Sequence, residues 1–335
     1  MTTRRSPVGV LLSLIALLPG TAAPVIAQGA PTSTAGAVIP LDSAVRHGTL
    51  PNGLRYYVRR NSRPENRLEL RLVVNAGSVL EDDDQKGLAH FVEHMLFNGT
   101  RRFEKNDIIS YLESIGVRFG ADLNAYTSFD ETVYILPVPT DKPGLVERSL
   151  DVLEDWASGA LFDSLEVVKE RGVVLEEWRS GLGADTRIRD KQFPVVFQGS
   201  RYAERLPIGD TLIIKGATPE PLKRFYRDWY RPDLMAVVAV GDYDPARLEE
   251  LIRERFSKLP RPQNPRPRPA MTVPGHDATL IALATDPEQT ISSIQALYKH
   301  PPAPLAKLED YRTLLVRRLY NQMLNGRFNE IVRRP

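Results

Sequence analysis

The chain has 335 residues, no cysteine, ordinary apolar and charged fractions and a formal net charge of +2. This composition is that of a globular protein, and the length is sufficient for two domains. Disulfides, thiolate metal sites and cysteine nucleophiles are excluded, so any metal must be held by nitrogen and oxygen atoms.

The first 27 residues are typical of a secretory signal peptide. Arg4 and Arg5 form a short positive end, residues 7–18 are almost wholly apolar, and residues 24–27 supply a small-residue cleavage site. The apolar run is too short for a comfortable membrane span. We therefore expect an exported protein, periplasmic or extracellular in a bacterium, whose mature chain has no integral membrane span.

Removal of this segment deletes two arginines and brings the formal charge to zero. A neutral chain without a basic patch argues against nucleic acid or an anionic membrane as a partner. Residues 28–44 are rich in Ala, Thr, Ser, Pro and Gly, and we expect them to form a flexible leader.

Three strand-like segments precede the first predicted helix. Residues 48–58 hold two strand fragments on either side of an Asn52-Gly53 turn. In residues 68–74, apolar and polar residues alternate at first, and the last residues are all apolar. The acidic run that follows, residues 81–84, could ligate a metal, but we interpret it as a solvated cap at the N-terminus of the next helix.

A short helix at residues 87–97 carries the strongest chemical pattern. His90 and His94 are four residues apart, so their rings lie one turn above the other and can grip one ion. Glu93 lies on nearly the same face, within reach of a water on that ion. Two imidazoles and a nearby carboxylate are what a catalytic zinc site requires, because the metal acidifies a water and the carboxylate takes its proton.

Such a site usually has a third protein ligand. The helix at residues 166–178 offers Glu170 and Glu177, which are two turns apart and share an apolar face that we expect to be buried. A carboxylate pair on a buried face needs a cation or hydrogen-bond donors. Glu176 is rotated by about 100° from Glu177 and should point elsewhere. The alternative is a solvated face that carries acidic residues by chance. The other histidines are isolated and are interpreted as surface residues: His47, His276 and His300.

The remaining elements mix helices and strands without regular alternation. Helices are predicted at 105–114, 142–158, 164–179, 219–230 and 245–256, and strands at 117–127, 132–138 and 234–240. This pattern indicates an α+β fold, with helices stacked on one face of a mostly antiparallel sheet. We assign this catalytic domain to residues 45–257.

A proline-rich stretch follows at residues 258–275 and is predicted to be a semi-rigid linker. A ligand for proline-binding domains is the alternative interpretation of this stretch. Residues 276–335 contain two strand-like segments, 278–284 and 290–298, and an amphipathic helix at 305–324. They predict an incomplete second α+β domain. Either this tail packs on the first domain or the chain is the front part of a longer protein, and we expect the second.

These residues resemble a known family. His90-x-x-Glu93-His94 is similar to the inverted zinc motif of the pitrilysin, insulin-degrading and mitochondrial processing peptidases. Gly77-Ser78 stands upstream of the motif, as in that family. Downstream, the run Asn124-Ala125-Tyr126-Thr127 resembles the family's substrate-side strand, and the run from Glu170 to Glu177 resembles its third-ligand helix.

The resemblance implies a metalloendopeptidase with one zinc ion per chain. His90, His94 and Glu177 would be the ligands, with Glu176 as a fallback for the last because the gap to His94 is long. Glu93 would be the general base and Glu170 a supporting carboxylate.

The resemblance also implies which partners to expect. Asn124, Ala125, Tyr126 and Thr127 would contact a peptide or unfolded polypeptide. Members of the family work as two homologous halves that close over the substrate, so a second half or subunit is expected as a partner. The alternative function is a non-catalytic peptide-binding or partner subunit. The signal peptide makes exported bacterial members the expected relatives.

Overall fold

The computed structural model describes three stretches of the chain: residues 36–105, 107–117 and 124–334. The expected signal peptide and the first part of the leader, residues 28–35, lie outside these stretches. The described residues form two compact units, one of residues 41–300 and the other of residues 36–40 with 301–334.

Within the described part of the larger unit, six strands form one sheet: β1 (Val45–Thr49), β2 (Arg55–Arg60), β3 (Arg67–Val74), β4 (Asn124–Thr127), β5 (Thr132–Pro139) and β6 (Met235–Gly241). The strand order is β1-β2-β6-β3-β5-β4. The β2–β6 pair is parallel and the other four pairings are antiparallel. The sheet is therefore mostly antiparallel, and β6 lies between two strands that come far earlier in the chain.

The helices of the larger unit are α1 (Leu88–Met95), α2 (Asp107–Ser114), α3 (Leu145–Ser158), α4 (Ser164–Ser180), α5 (Ala184–Val196), α6 (Thr211–Gly216), α7 (Pro219–Trp229) and α8 (Pro245–Phe256). The smaller unit contains α9 (Leu308–Val332), which extends beyond the predicted helix end. No described helix has the length and apolarity needed to cross a membrane.

One face of the sheet is buried beneath helices. Strand alternation puts Leu68, Leu70, Leu72 and Val74 on the same face of β3, and all four are buried. Glu69, on the opposite face, is exposed. Helices α3 and α8 pack against the sheet. The α+β architecture predicted from the sequence is confirmed.

Two helices were not predicted. Helix α5 has no fully buried residue and contains Pro194, so it lacks both an apolar stripe and an uninterrupted helical composition. Helix α6 is only six residues long and begins at the Asp210 cap, whose carboxylate accepts the Leu212 amide. Neither segment offers enough periodicity to be recognised from the sequence.

Two predicted strands are absent. Residues 278–284 and 290–298 have the composition of strands but pair with no strand in the described chain. Ile281, Leu283 and Ile294 are largely exposed. Apolar alternation alone does not form a strand, because a strand also needs a partner for its backbone groups.

The proline-rich stretch is part of the larger unit and docks on the rest of it instead of standing free as a spacer. The Arg266 guanidinium binds Asp82 at 2.7 Å and lies 5.0 Å from the centre of the Trp229 ring. Arg268 donates from Nε to the Asn75 carbonyl at 2.8 Å. Proline sets the extended backbone, and these two arginines dock it. The domain boundaries themselves remain a prediction.

Candidate metal centre

Helices α1 and α4 bring three potential ligand atoms together. The Nε2 atoms of His90 and His94 lie 3.2 Å apart. The Glu177 Oε2 atom lies 3.5 Å from the first and 3.3 Å from the second. These three ligand atoms all fall within 4.8 Å of one another. Two imidazole nitrogens and one carboxylate oxygen are a donor set that suits zinc.

A second carboxylate on α4 orients one imidazole. Glu170 accepts a hydrogen bond from His94 Nδ1 at 2.8 Å, which leaves Nε2 to face His90. Asn98 donates to the other Glu170 oxygen at 2.6 Å. Ligating histidines commonly bind a carboxylate through their second nitrogen, so the arrangement fits a metal ligand. The other ring differs, since His90 Nδ1 is buried without a hydrogen-bond partner among the described residues.

Glu176 points away from this cluster. Its carboxylate pairs with Arg179 at 3.0 Å on the exposed side of α4. The shared face of Glu170 and Glu177 is less buried than expected. Val174 is buried, but Val173 is 51% exposed. Glu177 is half-exposed, so it lies on the solvent-accessible side of the metal centre.

Glu93 lies beside the cluster in a buried position. Its side chain accepts a hydrogen bond from the Thr127 hydroxyl, with 2.5 Å between Oγ1 and Oε2. Burial raises the pKa of Glu93 to about 7, and the Thr127 hydrogen bond partly offsets this rise. A buried carboxylate that titrates near neutrality can take up and release a proton under physiological conditions.

The pKa values of the two histidines are shifted in opposite directions. Burial lowers the pKa of His90, and the neighbouring His94 lowers it further. Burial also lowers the pKa of His94, but hydrogen bonds to Glu170 and Glu177 outweigh burial and raise it to about 9. The hydrogen bond with His94 lowers the pKa of Glu177. These shifts favour a charge on His94 over one on His90.

The start of α1 is held by a buried acid. Glu81 is fully buried, and its carboxylate accepts the Gly87 and Ala89 amides at 3.0 and 2.8 Å. Burial raises the pKa of Glu81 to about 8, against the lowering effect of these amides. The prediction of a solvated cap was thus wrong for Glu81. A fully solvated acidic side chain could not fix the helix start as rigidly.

A glycine pair also fixes this helix start. Gly87 has φ +96°, and Gly209 has φ +76°. A Cβ atom on Gly209 would lie 2.2 Å from the Gly87 Cα atom, so the two backbones approach as only glycines can.

A cleft of about 360 Å³ opens beside the cluster. His90 and Glu177 contribute polar atoms to its lining, and Phe129, Phe193 and Ile208 contribute apolar surface. Helix α5 supplies Phe193, so an element that the sequence did not predict forms one wall. A mixed polar and apolar cleft next to a metal centre can hold an amino-acid side chain.

Strand β4 lies at the end of the sheet order and has one unpaired edge in the described chain. Asn124 and Tyr126 are exposed, and Ala125 and Thr127 are half-buried. Residues 118–123, which belong to the first part of the predicted strand, lie outside the described residues. An exposed strand edge can pair with an extended peptide through backbone hydrogen bonds.

The sequence pointed to His90, Glu93, His94, Glu170 and Glu177, and the structure brings these five residues together. Asn98 was not identified from the sequence. That residue follows the end of α1, so helical spacing could not have linked it to Glu170. Phe129 and Phe193 carry no such signal, because their proximity is created by the tertiary fold.

Comparison with protein families gives two matches. A model of the insulinase family, peptidase family M16, matches residues 56–184. A model of the M16 inactive domain matches residues 216–334.

Similar curated proteins are zinc proteases. The chain is 41% identical to a zinc protease PQQL-like of Arabidopsis thaliana, over 86% of this chain and 30% of that protein. It is 35% identical to the probable zinc protease PqqL of Escherichia coli, over 87% of this chain and 32% of that protein. The chain thus spans about a third of the length of these relatives.

Solved structures agree with the sequence matches. The first half of the periplasmic protease PqqL from Escherichia coli is 39% identical, with a TM-score of 0.67, over 71% of this chain and 50% of that one. A ferredoxin protease, FusC, in complex with Arabidopsis ferredoxin is 32% identical, with a TM-score of 0.62, over 67% of this chain and 25% of that one.

Proposed function

Because the chain belongs to peptidase family M16, we propose that it acts in a zinc-dependent endopeptidase that hydrolyses peptides or unfolded polypeptides. The observation that carries the proposal is the grouping of His90, His94 and Glu177 beside a buried acid, Glu93, whose pKa is raised to about 7. A structural zinc site usually has four protein ligands, whereas three ligands beside a buried acid suit a catalytic site.

His90, His94 and Glu177 would hold one zinc ion per chain, and Glu170 would keep His94 oriented. The ion would supply an acidified water and an electrophile for the scissile carbonyl. Glu93 would take the proton of the attacking water and deliver it to the leaving amine. The buried position of Glu93 and its raised pKa support a role in proton transfer.

The substrate would bind as an added strand. Strand β4 offers its free edge to a peptide backbone, and the exposed Asn124 side chain lies where it could hydrogen-bond that backbone. Backbone pairing accepts many sequences, which suits unfolded polypeptides. The apolar wall of the cleft would accept one substrate side chain.

We further propose that the protein is exported to a bacterial periplasm or exterior and that a homologous second half or subunit completes the substrate chamber. The signal-like residues 1–27 support export. The similarity to the first half of a periplasmic protease supports both statements.

The proposal is tested with Glu93→Gln in the zinc-loaded chain. This variant should keep one zinc ion, measured by elemental analysis, and lose cleavage of a fluorogenic unfolded peptide by at least about 100-fold. Glu176→Gln, on the exposed side of α4, serves as the matched control and should cleave normally. Full activity of Glu93→Gln would show that another group is the base. A wild-type chain that binds zinc but cleaves nothing, even with a second half, would instead favour the non-catalytic subunit.

A further inference from the structure

The side chain of Thr127 is directed at Glu93 and not at the cleft alone. Its hydroxyl donates to Glu93 Oε2 with a separation of 2.5 Å. This interaction joins the end of β4 to α1 through two residues that are 34 positions apart in the chain. We propose that Thr127 is a positioning residue for Glu93 that fixes the orientation of the carboxylate, an inference that rests on the proposed function.

The hydrogen bonds around Thr127 determine the direction of this bond. A hydroxyl has a single hydrogen to donate. Thr132, opposite Thr127 in the β4–β5 pair, donates its own hydrogen to the Ala76 carbonyl at 2.9 Å. The two threonine oxygens are 3.4 Å apart, a longer contact than the one to Glu93. The Thr127 hydrogen is thus committed to Glu93.

Glu93 has little else to fix its terminal torsion. The last torsion of a glutamate side chain is broad, so packing alone does not select one orientation of the carboxylate. Among the described residues, Oε2 has Thr127 as its hydrogen-bond donor and Oε1 has none. One oxygen is therefore held, and the other remains available to take a proton. Loss of the hydroxyl would leave both oxygens unheld.

The anchor of Thr127 is rigid. Thr127 pairs with Thr132 in the antiparallel β4–β5 ladder. Thr132 is fully buried and tied to the Ala76 carbonyl. A donor fixed to a sheet holds its acceptor more closely than one on a loop would. Because β4 is also the proposed substrate strand, the element that would align the peptide would also align the base.

The test uses Thr127→Val and Thr127→Ser in the full chain. Valine keeps the branched shape and removes the hydroxyl, whereas serine keeps the hydroxyl. We expect Thr127→Val to lower kcat by about 10- to 100-fold, because the base is misaligned. KM and zinc content should be unchanged, because the hydroxyl is not needed to bind the substrate or the metal. Thr127→Ser should restore most of kcat.

The matched control is Thr140→Val. Thr140 follows β5, is half-buried and donates its hydroxyl to the Asp242 carbonyl, away from the metal centre. This variant should keep wild-type kcat and so measures the general cost of a Thr→Val change.

Crystal structures of zinc-loaded wild type and Thr127→Val provide a readout that does not depend on turnover. Glu93 should occupy one carboxylate orientation in the wild type and several in the variant. An unchanged, singly ordered Glu93 in Thr127→Val would overturn the proposal, even if the wild-type chain has no peptidase activity and the proposed function fails. An increase in KM at constant kcat would also overturn it, because Thr127 would then act on the substrate alone.

Discussion

At the scale of single residues, metal binding depends on which histidine nitrogen carries a proton. The facing nitrogens of His90 and His94 are 3.2 Å apart, and a metal must displace any proton between them. Burial disfavours a charge on His94, but the carboxylates of Glu170 and Glu177 hold its pKa near 9. The raised pKa predicts a proton on His94 at neutral pH, and metal binding should release it.

Zinc affinity should consequently rise with pH. Below the raised pKa of His94, each pH unit should strengthen binding by at least about tenfold, because the His94 proton is released and Glu93, whose pKa is about 7, also loses its proton in this range. Competition with a chromophoric chelator between about pH 6 and pH 8 measures the slope. Glu170→Gln removes one of the acceptors that raise the His94 pKa and should flatten the profile. A zinc affinity that does not change with pH would contradict the placement of the proton on His94.

The choice between the two neighbouring acids of α4 is also a residue-scale question. Glu177→Ala should lower bound zinc to well below one ion per chain, since the only carboxylate oxygen of the three-ligand set is removed. Glu176→Ala should retain the metal, because it loses only an exposed pair with Arg179. Elemental analysis of both variants after gel filtration decides the assignment. The opposite outcome would make Glu176 the ligand.

Sequence reasoning works well for residues linked by helical spacing. His90 and His94 are linked by i, i+4 spacing, and Glu170 and Glu177 by i, i+7. The contact between Thr127 and Glu93 could not be found in this way, because it joins a strand to a helix and depends on how the two pack. The direction of a side chain on an edge strand is a tertiary property.

At the scale of elements, the start of α1 depends on a glycine from a distant loop. Gly209→Ala should cost at least about 2 kcal/mol in the free energy of unfolding, from the strained positive φ together with the overlap with Gly87. Urea unfolding of wild type and variant measures the loss.

Gly144→Ala is the matched control for that prediction. Gly144 also has a positive φ, +81°, but a Cβ there meets no atom within 4 Å. The difference between the two variants is the cost of the contact with Gly87. Equal losses would show that the backbone conformation alone matters and that the glycine pair does not hold the helix.

The proline-rich segment contacts the residue next to Phe129, which lines the cleft. Arg268 donates to the Asn75 carbonyl and pairs with the Asp130 carboxylate at 3.5 Å, in the turn that carries Phe129. Arg268→Ala should raise KM several-fold, with zinc content unchanged, because the cleft wall loses its support. Arg261→Ala, an exposed arginine of the same segment, should leave KM unchanged. Steady-state kinetics on the fluorogenic peptide compare the two variants, and an equal KM for both would refute the role of Arg268.

The element types were largely predictable, and their contacts were not. Alternation in β3 and the apolar run of β6 gave both strands, with ends within one residue of those observed. The same criterion predicted strands at 278–284 and 290–298, where none exists. Alternation shows that a segment could form a strand, but it does not show that a partner strand is present.

At the scale of the whole molecule, export can be tested directly. The chain expressed in a bacterium with its N-terminus intact should be recovered outside the cytoplasm and begin at Gln28, since residues 24–27 provide the cleavage site. N-terminal sequencing of the fractionated protein measures this. A chain that starts at Gln28 by design should stay in the cytoplasm. Recovery of the uncleaved chain in the cytoplasm would contradict the signal-peptide assignment.

The position of β6 has a consequence for the order of assembly. Both ligand helices, α1 and α4, emerge from synthesis before residues 235–241, yet those residues fill the gap between β2 and β3. Contacts between distant parts of a chain form late, because a long loop must first be closed. A nascent chain can thus hold every zinc ligand while its sheet is still split in two. The sheet that carries the metal centre is therefore complete only once residues 235–241 have paired with both of their neighbours.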